Sequence, residues 1–65
     1  MSRHTLIRLR DVMAKTGFKR AWIYNLMSRN EFPQSVKLGI RSVAWVESEI
    51  DEWIANKINQ RDGVQ

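Results

Sequence analysis

Apolar residues recur along this chain at two spacings, and the switches between them divide it into short elements. Leu6-Ile7-Arg8 reads as a short strand. From about Arg10 the spacing becomes three and four, which turns Leu9, Val12 and Met13 to one side of a helix. Gly17 ends that helix, since glycine adopts the left-handed C-cap conformation at little cost. Phe18 follows as an apolar plug, and a second helix is predicted from about Lys19 to Arg29. It turns Ile23, Leu26 and Met27 inward and Arg20, Ala21, Tyr24, Asn25 and Ser28 outward, with Trp22 at the boundary. Pro33 cannot continue a helix and pushes Phe32 into extended backbone, so the chain turns between Asn30 and Ser35. Val36 to Trp45 then alternates apolar and polar residues around a tip containing Gly39, which predicts a β-hairpin projecting Lys37 and Arg41. Finally, Val46, Ile50, Trp53, Ile54 and Ile58 form one stripe of a helix over roughly Glu47 to Gln60.

With 65 residues, 43% of them apolar, the chain has room for one domain and one small core, ordered over about residues 6–61. Met1 to Thr5 reads as a polar tail and Asp62 to Gln65 as a frayed end. A domain of this size buries only roughly 60% of the surface its unfolded chain exposes. Without cysteine, neither a disulfide nor a Cys-ligated zinc can staple it, so Trp22, Trp45 and Trp53 are expected to supply the bulk of the core. Trp45 and Trp53 lie on apolar stripes, whereas Trp22 fits either packing on the first helix or the floor of a bound groove. No run is long enough to span a bilayer and no apolar signal segment opens the chain, so a soluble, cytoplasmic protein with no membrane partner is expected.

The net charge of +4 is unevenly spread. Residues 1–45 carry Arg3, Arg8, Arg10, Lys15, Lys19, Arg20, Arg29, Lys37 and Arg41 against only Asp11 and Glu31. Residues 46–65 carry Lys57 and Arg61 against Glu47, Glu49, Asp51, Glu52 and Asp62. Such a division suits one face to a polyanion and makes the other repel it, the footprint of a nucleic-acid binder. Two short helices hinged at a glycine, the second presenting polar and aromatic groups, read as a helix-turn-helix whose second helix fits the major groove.

The stretch from Arg8 to Trp53 resembles the AlpA family of prophage regulatory proteins. The resemblance is carried by Arg8-Leu9, Val12-Met13, Thr16-Gly17-Phe18, Ile23-Tyr24, Leu26-Met27, Phe32-Pro33, Val36-Lys37-Leu38-Gly39, Arg41, Val43-Ala44-Trp45 and Glu47 to Ile54. It implies a mainly α fold with a small β-hairpin wing, a winged helix-turn-helix related to excisionases and to the DNA-binding heads of the MerR group. It also implies a regulator of mobile-element transcription linked to prophage excision. Two positions depart from the pattern: Lys19 stands where a Ser or Thr cap is usual, and Trp22 where a small polar residue is usual. The resemblance therefore carries the fold and leaves the base sequence read by the second helix open.

Groove geometry assigns the expected contacts. Arg20 has the planar fork that bonds guanine O6 and N7, and Asn25 the amide that pairs with adenine N6 and N7. Tyr24, Lys19, Arg29 and Lys37 suit phosphates, Ala21 and Trp22 lie on the same helix, and Arg41 suits an adjacent minor groove. An excisionase-like DNA-bending factor acting with a recombinase is the alternative within this class. From another class, the acidic last helix suits a protein-interaction module docking RNA polymerase or an integrase. One short helix reads few base pairs, so a dimer, adjacent copies or a partner protein is expected on DNA. Catalysis, cofactors and metals are not expected. His4 has no partner at useful spacing, no phosphate loop is present, and the acids of the last helix have a sufficient reason in the helix dipole.

Overall fold

The computed structural model describes residues 4–63, in the order β1 (Leu6–Ile7), α1 (Leu9–Thr16), α2 (Arg20–Ser28), β2 (Val36–Lys37), β3 (Val43–Val46) and α3 (Glu47–Arg61). The predicted tails at 1–3 and 64–65 lie outside the described residues. Thr5 is anchored, its carbonyl accepting the Glu47 N–H at 2.8 Å. The predicted hairpin is part of a three-stranded antiparallel sheet of order β1-β3-β2. Leu6 and Ile7 pair with Val46 and Trp45, and Val36 and Lys37 pair with Ala44 and Val43. Arg8, read as strand, is instead the N-cap of α1, and Val46, read as the start of the helical stripe, ends β3.

The turn from α1 to α2 and the turn that leaves α2 follow from local chemistry. Gly17 takes φ +77° and its N–H donates to the Met13 carbonyl at 2.8 Å. The Thr16 hydroxyl donates to the Val12 carbonyl at 2.8 Å and accepts the Phe18 N–H at 3.2 Å, which ties the helix end to the hinge. At the end of α2, Asn30 takes φ +58°, a region asparagine tolerates. Glu31 N–H then reaches the Leu26 carbonyl at 2.9 Å and Asn30 N–H the Met27 carbonyl at 3.0 Å, the crossed pair of a Schellman motif.

The core consists of Ile7, Val12, Ile23, Leu26, Phe32, Ala44, Trp45 and Ile50. Of the three tryptophans expected there, only Trp45 is fully buried; Trp53 is half-buried and Trp22 is 45% exposed. Phe32 takes much of the space instead. It meets Trp53 edge-on at 4.9 Å between centroids, and Phe18 closes the cluster at 5.9 Å from Trp53. The Trp53 indole N–H donates to the Glu31 carbonyl at 3.0 Å, drawing the turn after α2 onto α3. Along the α3 stripe, Ile50 is buried, Ile54 half-buried and Ile58 47% exposed, because the last turns stand over an open groove. Lys15 braces α1 against α3, its ammonium 2.9 Å from Asp51 and 3.3 Å from Glu47. The hydrogen bond to Asp51, then that to Glu47, raises its pKa above the ordinary lysine value.

Two stability predictions follow from the core and the hinge. Trp45→Ala should cost about 3–5 kcal/mol, which is as much as a core of this size supplies, so its circular dichroism should be that of an unfolded chain. The Trp45 indole N–H has no acceptor among the described residues. Trp45→Phe removes that orphaned donor with part of the ring, and should remain folded in a urea titration. At Gly17 nothing lies within 4 Å of a built Cβ, so only backbone strain counts. Gly17→Ala should lose about 1–2 kcal/mol in urea, and Gly17→Asn less.

Candidate nucleic-acid interface

The outer surface of α2 has two edges. At about 3.6 residues per turn, Arg20 and Tyr24 share one edge, Trp22 and Arg29 the other, and Ala21, Asn25 and Ser28 lie between. All seven are exposed. On the first edge, Arg8, Arg10, Arg20 and Arg41 line one shallow cleft over Leu9, Tyr24 and Val43. Three elements thus meet there: the start of α1, the start of α2 and the wing. Sheet register sets Lys37 opposite Val43, on the same face of the hairpin as this cleft residue.

A stack of aromatic and cationic groups fixes the cleft to the core. Tyr24 meets the buried Trp45 edge-on at 6.3 Å between centroids. The Arg20 guanidinium lies over the Tyr24 ring, 5.6 Å from its centroid. Tyr24 therefore holds Arg20 in position besides offering its own hydroxyl.

No carboxylate lines the cleft, and none of its four arginines is ion-paired among the described residues. The caps sharpen this charge. Arg8 and Lys19 occupy the N-caps of α1 and α2 without a side-chain hydrogen bond, and the first turn of α2 holds no acid. A cation at the positive end of a helix is unfavourable; Asp11 offsets it in the first turn of α1, whereas the first-turn amides of α2 remain open to an anion. Such an arrangement has a chemical use when a polyanion occupies it.

The second edge has the opposite character. Trp22 overlooks an apolar groove formed with Phe18, Leu26, Trp53, Ile54 and Ile58. Its cations are already engaged: Lys15 with Asp51 and Glu47, Arg61 with Asp62 at 2.8 Å, and Arg29 with Glu31 at 3.7 Å. Arg29 also lies 5.3 Å from the Trp22 centroid, and Lys57 5.3 Å from that of Trp53. Trp22 is thus neither core nor packed wholly on α1, and Arg29 points to its own side of α2.

Of the residues expected at the site, Arg20, Tyr24 and Arg41 come together, with Lys37 beside them; Ala21 and Asn25 occupy the adjoining exposed face, and Lys19 the cap. Arg8 and Arg10 are additions. Their signal lay in the Arg8-Leu9-Arg10 run, where a half-buried Leu9 leaves both neighbours facing water. Glu47 and Asp51, which share a helix face, spend it on Lys15.

The sequence profile of the prophage CP4-57 regulatory protein (AlpA) family matches residues 5–58. The uncharacterized protein ORF88 of Enterobacteria phage P4 is 38% identical over 61 residues, covering 94% of this chain and 69% of that protein. The DNA-binding transcriptional activator AlpA of Escherichia coli (strain K12) is 40% identical over 58 residues, covering 80% of this chain and 83% of its own. Among the described residues, no helix is long and apolar enough to cross a membrane.

Arg8→Ala and Arg10→Ala should each flatten the salt dependence of binding to duplex DNA by about one unit of log-log slope. Arg61→Ala, which removes a cation already paired with Asp62, should leave that slope unchanged. Titration by fluorescence anisotropy at several salt concentrations separates the two classes.

Proposed function

The chain belongs to the AlpA family of prophage regulatory proteins, and from that premise we propose that it is a sequence-specific double-stranded DNA-binding transcriptional regulator of phage, prophage or mobile-element genes. The observation that carries the proposal is the cleft in which four arginines from α1, α2 and the wing meet without one carboxylate. The Escherichia coli relative is a DNA-binding transcriptional activator, which supports the same reading.

In this reading α2 enters the major groove. Arg20 bonds a guanine edge and Asn25 an adenine edge, while Arg8, Arg10, Lys19 and Lys37 hold phosphates and set the register. Arg41 follows the backbone into the adjoining minor groove. Arg29 is the weakest of the cations for this task, because Glu31 and the Trp22 ring already engage it. Since one nine-residue helix reaches few base pairs, adjacent copies, a dimer or a recombinase or polymerase partner completes the specificity.

Sequencing the duplexes that the protein enriches from a random pool tests the proposal directly. A defined motif is expected; enrichment no better than that of the starting pool overturns it. On the selected site the log-log salt slope should be roughly −4 to −5, corresponding to about five phosphate contacts. Arg20→Ala should then cost about 1–3 kcal/mol and relax preference at one base position.

A further inference from the structure

The wing ends in an apolar side chain that none of the described residues covers. The last ladder pair is Lys37 with Val43, and beyond it the Leu38 and Gly39 N–H groups both donate to the Ser42 carbonyl, at 2.7 and 3.2 Å. These bonds pinch the strands together and leave Gly39, Ile40 and Arg41 as the apex. Ile40 is 97% exposed, against 49% for Leu38, the next most exposed large apolar residue among those described. Hairpin tips ordinarily carry Gly, Asn, Asp or Ser, whose side chains suit turn geometry and water. Isoleucine offers neither a hydrogen bond nor flexibility at χ1.

A single exposed apolar side chain is common on protein surfaces, so exposure alone assigns nothing. Position does. Ile40 adjoins Arg41, which lines the cleft with Arg8, Arg10 and Arg20, and Lys37 projects from the cleft face at the base of the same loop. The apex therefore continues the cationic surface to which Arg41 and Lys37 belong, within reach of a duplex seated on that surface. A stiff apolar group carried between two cations into the minor groove has a defined chemistry there. It displaces water, inserts beside a base step and partly unstacks it, which kinks the duplex toward the major groove.

We propose that Ile40 is an apolar wedge that enters the minor groove flanking the α2 site beside Arg41 and bends the bound DNA, with Lys37 holding a phosphate at the groove edge. The inference rests on the DNA-binding reading above. It also sets a preference at positions α2 never touches, for deformable pyrimidine–purine steps such as TA or CA/TG beneath the wing.

The test uses the full chain on a duplex selected from the random pool, with donor and acceptor dyes at its ends to report bending, and 2-aminopurine at the flanking step to report unstacking. Wild type should bend the duplex and brighten the 2-aminopurine. Ile40→Ser should bind about tenfold more weakly with an unchanged salt slope, and should lose most of the bend and of the 2-aminopurine signal. Ile40→Met should restore both signals. The side chain is in solvent, so the circular dichroism of the variants should match that of wild type. If wild type binds without bending, or Ile40→Ser bends as wild type does, the wedge is wrong and the DNA-binding reading stands. If Ile40→Ser instead loses only cooperativity between adjacent copies, the apex is a protein contact and the wedge is likewise overturned. Failure of wild type to bind any duplex would overturn the DNA-binding reading itself.

Discussion

Burial of Trp45 at the centre of a three-stranded sheet holds the two halves of this molecule in one geometry. Its strand, β3, pairs with β1 on one side and β2 on the other, so the chain's beginning and the wing share a single support. Its ring touches Tyr24 of α2, and Tyr24 in turn carries the Arg20 guanidinium. The position of a surface cation on the second helix is thereby set by a side chain with no exposure at all. Close packing transmits that placement, since a filled interior does not let a ring drift without moving its neighbours.

Charge is organised against the local interest of the fold. Cations cap the positive ends of α1 and α2, and four arginines crowd one cleft without a counter-ion. A domain with so small a core has little stability to spare for like-charge repulsion. The cost is tolerable where a polyanion relieves it, and ligand binding to the folded state then adds stability by mass action. Elsewhere the same chain does the opposite. Lys15, Arg29 and Arg61 are each neutralised by carboxylates on the side of the molecule where Trp22 lines an apolar groove. The contrast between engaged and unengaged cations says more about the binding face than the net charge does.

Helix and strand positions were legible because their periods are local. The glycine at 17, the proline at 33 and the acid-rich start of α3 punctuate the sequence, and element ends moved by only a residue or so in the structure. Trp22 and Phe32 were less legible. An aromatic residue at the boundary of a predicted helix face has no assigned neighbour until the third helix is placed, and α3 leaves Trp22 half in water while Trp53 closes over Phe32. Arg8 and Arg10 are hard to read from the sequence for a similar reason, since they lie outside the helix expected to bind and reach the cleft only through packing of α1 beside α2.

By itself, then, the sequence determined what each segment becomes, the hinge at Gly17, the identity of the second helix as the one that presents Arg20 and Asn25, and the family to which the chain belongs. Those features depend on neighbours a few residues apart. Only the tertiary structure decided which cations stand together and which are spent. The linear split into a basic front and an acidic end is not the spatial one, because Lys15 from the front bonds Glu47 and Asp51 from the end. Coulomb energy depends on distance through space and on whether a counter-charge is present, and neither quantity is written along the chain.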